Sequence, residues 1–306
     1  MSRLGEALAD YLSIRRALGY KLDTHGRLLA DFVSYLDRAG HTTVTTDLAL
    51  AWAARPTHAT PAWWAARLAM VRQFAAYLAT LDPATQVPPA DLLPHRTRRS
   101  TPDLYSDAEI SALLSAAARL RPPFRAATYT TLFGLLAVTG MRVGEALRLG
   151  RDDLDDGAGQ LLVKRSKFNK SRLLPLHPSV VNTLTSYARQ RERLHPRPKT
   201  VTFFASIAGT QLIYNNVRVV FGQLTTDATT WTSRARRPRI HDLRHSFAVA
   251  TLLDWYRAGV DVDARLPLLS AYLGHVDPAA TYWYLQAAPA LLALAAQRLD
   301  AIGQAP

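Results

Sequence analysis

The stretch Arg239-Ile240-His241-Asp242-Leu243-Arg244-His245-Ser246-Phe247-Ala248 decides how this chain is read. An apolar run follows a polar opening, which predicts a helix. Residues three apart lie on one helix face, so His241 and Arg244 present an imidazole and a guanidinium to the same point. An imidazole can carry a proton near neutral pH. A guanidinium is a permanent fork of donors suited to phosphate. The approach to this helix, Arg234-Ala235-Arg236-Arg237-Pro238-Arg239, is densely basic.

The rest of the composition agrees with a polyanionic partner. The 306 residues carry a formal net charge of +13, and 48% are hydrophobic. That length and apolar content predict two domains with sizeable cores. Residues 1–99 hold 12 basic and 8 acidic side chains, and the remainder hold 25 and 16, so both parts are basic. A charge spread in this way points to nucleic acid rather than to a charged tail. Cysteine is absent, which excludes disulfides and thiolate metal sites. No long apolar run resembles a membrane span and Met1 to Glu6 shows no signal-peptide core, so a soluble cytoplasmic protein is expected. Only five residues are lysine, and three of them, Lys164, Lys167 and Lys170, fall within seven positions.

Along the chain, apolar stripes predict four helices in residues 1–90. Thr46-Asp47 is read as a cap, and Thr60-Pro61 as an N-cap and N1 pair. Trp63 and Trp64 are expected in the core, with Arg15, Arg16, Arg67 and Arg72 facing solvent. Residues 91–105, within a proline-punctuated stretch carrying Arg96, Arg98 and Arg99, read as a basic interdomain linker. Ser106-Asp107-Ala108-Glu109 is a capping box that opens a second domain, 106–306. There Tyr129 to Val138 reads as a buried helix interrupted by Gly140. Leu161 to Val163 and Arg172 to Leu176 read as a hairpin about a polar turn. Pro267 to Leu273 reads as a helix closed by Gly274. The fold class is therefore mainly α, with a small β-hairpin or sheet in the second domain. The Ala/Leu-rich tail after Pro289 has an apolar face that either packs on its own domain or docks on a neighbour.

Four further features flank the central pair. Thr139-Gly140-Met141-Arg142-Val143-Gly144-Glu145 sets Arg142 and Glu145 three apart at a helix start. Lys167 lies in the hairpin turn. His275 follows a helix C-cap, and Tyr284 comes nine residues later. Together these suit phosphodiester chemistry. A tyrosine can attack phosphorus and divide one transfer into two reversible ones. Guanidiniums can hold the charge that spreads over the phosphate oxygens, and a lysine can protonate a leaving oxygen. A metal hydrolase built on His241 and His245 would need a Glu between them, where Asp242-Leu243-Arg244 stands.

Taken in order, these boxes resemble the tyrosine recombinases, or phage-integrase family. Residues 139–145 resemble its first box. Residues 167–176 resemble its hairpin box, with Phe168 where many members have Gly. Residues 241–248 are similar to its second box almost residue for residue, and Leu273-Gly274-His275 with Tyr284 resembles the last. The likeness covers roughly residues 106–290; the first domain is similar to the family's SAM-like core-binding domain in layout. The resemblance implies that Arg142 and Arg244 bind the scissile phosphate and His241 manages protons. It implies Lys167 as general acid, His275 as a phosphate donor, Tyr284 as nucleophile and Glu145 as a buried support. Lys164 and Lys170 are alternatives to Lys167, and Tyr282 to Tyr284. Lys164, Lys170, Arg96, Arg98, Arg99, Arg234, Arg236, Arg237 and Arg239 are expected on DNA. The implied enzyme is bacterial and nucleoid-associated and works without metal or other cofactor. It forms a 3′-phosphotyrosine and a Holliday junction, within a tetramer on paired inverted-repeat sites of double-stranded DNA. A type IB topoisomerase-like enzyme and a non-catalytic DNA-binding protein remain alternatives.

Overall fold

The computed structural model describes residues 2–94, 103–164, 171–227, 237–275, 277, 279–287 and 291. The chain divides into two compact units, Met1–Ser100 and Thr101–Pro306. Among the described residues, no helix is long and apolar enough to cross a membrane.

The first unit is a four-helix assembly of α1 (Arg3–Ala17), α2 (Asp23–Arg38), α3 (Thr46–Ala54) and α4 (Pro61–Leu78). Hydroxyl side chains start three of them. Ser2, Thr45 and Thr60 accept from the backbone N–H groups of Gly5, Leu48 and Trp63, satisfying donors that a helix start leaves unpaired. The cap of α3 is thus Thr45, one residue before the expected pair. The core gathers Phe32, Leu36, Trp52, Val71 and Phe74, none of them accessible to solvent. Trp52, rather than the Trp63-Trp64 pair, is the central tryptophan. Trp63 is 38% exposed, and Trp64 is half-buried with its indole N–H on the Pro56 carbonyl. Arg67 corrects another expectation, for it is buried. Its guanidinium lies 3.7 Å from the Trp52 ring centre, and Nη2 donates to the Trp52 carbonyl at 3.0 Å. A cation takes this interior place because the aromatic face and a carbonyl together replace its water. Leu93 also packs on this core, so the packing reaches beyond residue 90.

The second unit opens with α5 (Asp107–Ala118), whose Ser106–Glu109 capping box forms as read. There follow α6 (Pro123–Thr139), α7 (Val143–Ala146), a 3-10 turn at Arg151–Asp153, and strands β1 (Leu154–Asp155), β2 (Gln160–Val163) and β3 (Arg172–Pro175). The strands form an antiparallel sheet in the order β1-β2-β3. Leu161 pairs with Leu154 on one side and Leu174 on the other. Residues 164–171 therefore join two paired strands, with Val163 opposite Arg172. Next come α8 (Pro178–Leu194), α9 (Tyr214–Asp227), α10 (Ile240–Arg257), α11 (Val262–Leu273) and α12 (Ala279–Ala287).

Two apolar clusters fill this unit, and α10 runs through both. Ile240 and Leu243 belong to the cluster of Leu132, Phe133, Leu136, Leu161, Leu174 and Phe221. Ala248, Val249 and Leu252 belong to the cluster of Leu266, Leu269, Leu273, Tyr284 and Leu291. His241, Arg244 and His245 thus fall where α10 passes from one core to the other. Leu291, the described residue of the tail, packs within its own unit.

The junction depends on Gly140, the left-handed C-cap of α6. A Cβ there would lie 2.5 Å from the Phe247 ring of α10. Gly140→Ala should therefore cost about 2–5 kcal/mol, from the left-handed backbone and the overlap together. Urea unfolding would measure it, and an unchanged midpoint would show that Phe247 yields freely.

Candidate active site

The site is built on the C-terminus of α11. A helix end leaves its last carbonyls without intrahelical donors, and here three arginines from three other segments supply them. Arg172 Nε donates to the Tyr272 carbonyl at 2.7 Å. Arg244 Nη2 donates to the Leu273 carbonyl at 2.8 Å, and Arg142 Nη2 to the Gly274 carbonyl at 2.9 Å. Arg244 Nη1 also donates to the carbonyl of Gly140, the cap of α6. One guanidinium therefore ties two helix C-termini together, where the negative ends of their dipoles favour cations. Gly274 has φ +69°, and a Cβ on it would strike the Arg172 guanidinium at 2.8 Å.

Glu145 is the counter-charge. Its Oε1 accepts from Arg142 Nη1 at 2.9 Å and Arg172 Nη1 at 3.1 Å. Its Oε2 accepts from the Arg142 backbone N–H and from Arg172 Nη2, both at 2.9 Å. Burial alone would raise this carboxyl, but the hydrogen bonds and charge of Arg172, and then of Arg142, hold it down from 4.5 to about 2. Three guanidiniums facing one ionised carboxylate leave a cluster two charges positive, already fixed in place before an anion arrives. Burial, and then repulsion from Arg142, lowers Arg244 to about 10, which keeps it charged at neutral pH. Burial, and next Arg244, lowers His241 below its ordinary 6.5, so its imidazole is neutral at pH 7.

Arg239 stands at the N-cap of α10. It binds the fully buried Asp242 through Nε at 3.1 Å and Nη2 at 2.8 Å. The Tyr105 hydroxyl donates to the Arg239 carbonyl at 2.6 Å and accepts from its N–H at 2.7 Å. The Tyr105 N–H donates to Ser246 Oγ. The chain entering this unit is thereby sewn onto the helix that carries His241 and Arg244.

The last box closes over the arginines. His275 Nδ1 and Thr281 Oγ1 lie 2.6 Å apart. Tyr284 is 2% exposed, and its hydroxyl is 3.0 Å from His245 Nδ1. The Tyr284 and His275 rings are stacked with centres 6.2 Å apart, and the charge of Arg244 is felt with that of Tyr284. Tyr282, the alternative, is 45% exposed.

Arg142, Glu145, His241, Arg244, His275 and Tyr284 thus converge. Lys164 is held elsewhere, its Nζ 2.6 Å from the buried Asp153 at the base of the hairpin. Arg237 and Arg239 border a groove of about 700 Å³ beside His241, with Arg218 and Gln223 of α9 on its other wall. Lys167, Lys170, Arg234, Arg236, Arg96, Arg98 and Arg99 lie outside the described residues. Arg172, His245 and Tyr105 were given no role from sequence. Arg172 and Tyr105 find their partners 27 and 134 residues away, with no local pattern to announce them. His245 was weighed only as a metal ligand with His241.

The profile of the phage integrase family matches residues 104–290, which hold all six convergent residues. The chain belongs to the phage integrase family. It is 42% identical over 307 residues to a putative integrase/recombinase of Sinorhizobium fredii, covering 98% of both chains. It is 29% identical to the tyrosine recombinase XerD of Caulobacter vibrioides, again over 98% of both. Among solved structures it resembles the Tn1549 transposon integrase bound to transposon right-end DNA, with TM-score 0.68 and 16% identity, over 99% of this chain and 100% of that one. It also resembles the XerH recombinase in a post-cleavage complex, with TM-score 0.65 and 19% identity, over 91% and 80%. Neither the topoisomerase nor the non-catalytic reading is favoured by these relatives.

The Glu145 knot makes two demands on stability. Its carboxyl titrates lower when folded than when unfolded, so its contribution is complete above about pH 4.5 and is lost as pH falls towards 2. That contribution is about 3 kcal/mol, and Glu145→Gln should remove this part of the acid sensitivity. Arg172→Ala should cost about 3–5 kcal/mol at pH 7, because buried Glu145 keeps Arg142 but loses two charge-assisted hydrogen bonds. Arg172→Lys should not restore it, because an ammonium cannot make the forked contact. Urea unfolding at pH 7 and pH 3 tests both; a wild-type pH response in Glu145→Gln would refute the first.

Proposed function

We propose that this site-specific tyrosine recombinase cleaves and rejoins DNA with Tyr284 as its nucleophile. The observation that carries the proposal is Tyr284 set near Arg244, one of three carbonyl-anchored arginines from segments far apart in sequence. In this reading Arg142 and Arg244 hold the scissile phosphate by their remaining N–H donors and their charge. Arg172 and Glu145 keep Arg142 in register. The Tyr284 oxygen attacks phosphorus, a 3′-phosphotyrosine forms, and the 5′ oxygen leaves with a proton from Lys167. His275 hydrogen-bonds the phosphate, while His241 serves proton movement. Attack by the partner strand's 5′ hydroxyl reverses the chemistry and produces a Holliday junction. No cofactor enters this scheme, because the energy of the broken phosphodiester is kept in the tyrosyl ester.

The partner in this reading is double-stranded DNA with inverted-repeat sites, bound at the bacterial nucleoid, with four protomers on each pair of sites. Residues 1–90 act as the core-binding domain and residues 91–105 as a basic strap between it and the catalytic domain, 106–306. Arg96, Arg98 and Arg99 of the strap meet phosphates, as do Lys164, Lys170, Arg234, Arg236, Arg237 and Arg239. The integrase/recombinase relatives and the DNA-bound neighbours in the structural comparison support this reading.

Cleavage mapped on the DNA flanking the gene defines a nicked suicide duplex for the test. On it, wild-type protein and Tyr282→Phe should accumulate covalent adducts in excess EDTA, and Tyr284→Phe should form none. Adducts in Tyr284→Phe would exclude the nucleophile assignment, and loss of wild-type cleavage on chelation would exclude the mechanism. Replacing Arg96, Arg98 and Arg99 by Ala should weaken binding and make its salt dependence shallower by about 2–3 in the log–log slope, roughly 0.9 per lost phosphate contact. An unchanged slope would remove these arginines from the strap.

A further inference from the structure

Within this reading, we infer that His245 is the proton acceptor that converts the Tyr284 phenol into a nucleophile. The inference rests on Tyr284 being the attacking residue. His245 was not among the box residues given a role, yet its Nδ1 lies within hydrogen-bond reach of the attacking oxygen, at 3.0 Å. With the ring proton on Nε2, Nδ1 is the acceptor and the phenol is the donor.

His245 is buried on α10. The edge of Trp283 meets it at 5.5 Å, and the Tyr284 ring lies at the same distance on α12. His241, one turn earlier on α10, meets it edge-on at 4.7 Å. Among the described residues, the titratable and charged groups near it include His241 and Arg244 on its own helix and Tyr284 on α12, with His275 beyond the Tyr284 ring. Burial, and next Arg244, lower the basicity of His241, and it is His245 whose Nδ1 lies at the Tyr284 hydroxyl. Arg244 favours the phenolate, and its charge disfavours a lasting imidazolium.

The step balances without a co-reactant. The Oη–H bond of Tyr284 breaks as its proton passes to His245 Nδ1. The Oη–P bond forms and the P–O5′ bond breaks, with the 5′ oxygen protonated from the opposite side of the phosphorus. On rejoining, the 5′ hydroxyl attacks and gives its proton back to the acid that had supplied it, and the imidazolium returns its proton to the departing phenolate. His245 is neutral again after each full exchange.

His245→Asn discriminates this role from packing, because its Oδ1 stands near the place of Nδ1 and can accept the phenol hydrogen bond without taking the proton. Loss of a general base costs about 10²–10⁴ in rate, so at pH 7 the variant should form adduct at least about 100-fold more slowly on the nicked duplex. Binding of that duplex should be unchanged. The deficit should shrink as pH rises, because hydroxide replaces the missing base. It should persist on a 5′-bridging phosphorothiolate duplex, whose thiolate leaves without a proton. His245→Gln provides a second variant if the first does not fold, as judged by a cooperative melt. Wild-type rates, a deficit equal at every pH, or a deficit abolished by the phosphorothiolate would each overturn the proposal. Adducts in Tyr284→Phe would instead overturn the nucleophile assignment on which it rests.

Discussion

The capping of one helix end by three guanidiniums is the interaction on which the catalytic unit depends. Among the described residues, the carbonyls of Tyr272, Leu273 and Gly274 at the end of α11 take side-chain donors, supplied by Arg172, Arg244 and Arg142. Each arginine comes from a different element, so the end of α11 is the common point of the β-hairpin, α10 and the turn before α7. Carbonyl oxygens hold the guanidiniums by hydrogen bonds without discharging them. Among the described residues, Glu145 is the carboxylate ion-paired with them, and it is shared between Arg142 and Arg172. The result is a positive cluster whose cost of assembly is met by folding rather than by substrate, which is how preorganised electrostatics gains over water.

The same design explains why the unit has two cores rather than one. Arg244 is buried, and a buried cation is tolerable only where carbonyl dipoles and other polar groups replace its hydration. The seam between the α6 cluster and the α11–α12 cluster supplies that environment, because two helices end there at Gly140 and Gly274. Both glycines adopt left-handed backbone that aims a carbonyl at an arginine, and both are crowded by a side chain, Phe247 in one case and Arg172 in the other. Chain reversal, arginine placement and core packing are therefore one solution. The chain leading into the unit joins it through Tyr105, which binds both backbone groups of Arg239 at the start of α10.

Much of this was legible in the order of residues. The His241/Arg244 and Arg142/Glu145 pairs are three apart, and helical periodicity alone puts each pair on one face. The Ser106–Glu109 box and the glycine caps are local signals that survived unchanged in the structure. Helices with clear stripes, such as α1, α2 and α4, were read close to their extents. What escaped were elements whose identity is decided by contact. Strand β1 is only two residues long and exists because Leu154 and Asp155 pair with β2. Helix α9 was not read at all. Arg67 lies on the other side of the surface from its sequence expectation, because exposure depends on the partner available, here Trp52 and its carbonyl; Trp63 is exposed while Trp64 is half-buried.

The sequence by itself pointed to the class of fold, the basic character and the ordered boxes through local spacing and residue chemistry, and the family resemblance implied that the box residues share one site. Only the tertiary structure decided how they are held. Arg172 became the second partner of Glu145, Lys164 was tied to Asp153, and Tyr284 was set against His245. These are contacts between residues 11 to 39 positions apart, made across strand pairing or helix packing. No short-range periodicity encodes them, because their geometry follows from where α6, α10 and α11 come to rest around the two cores.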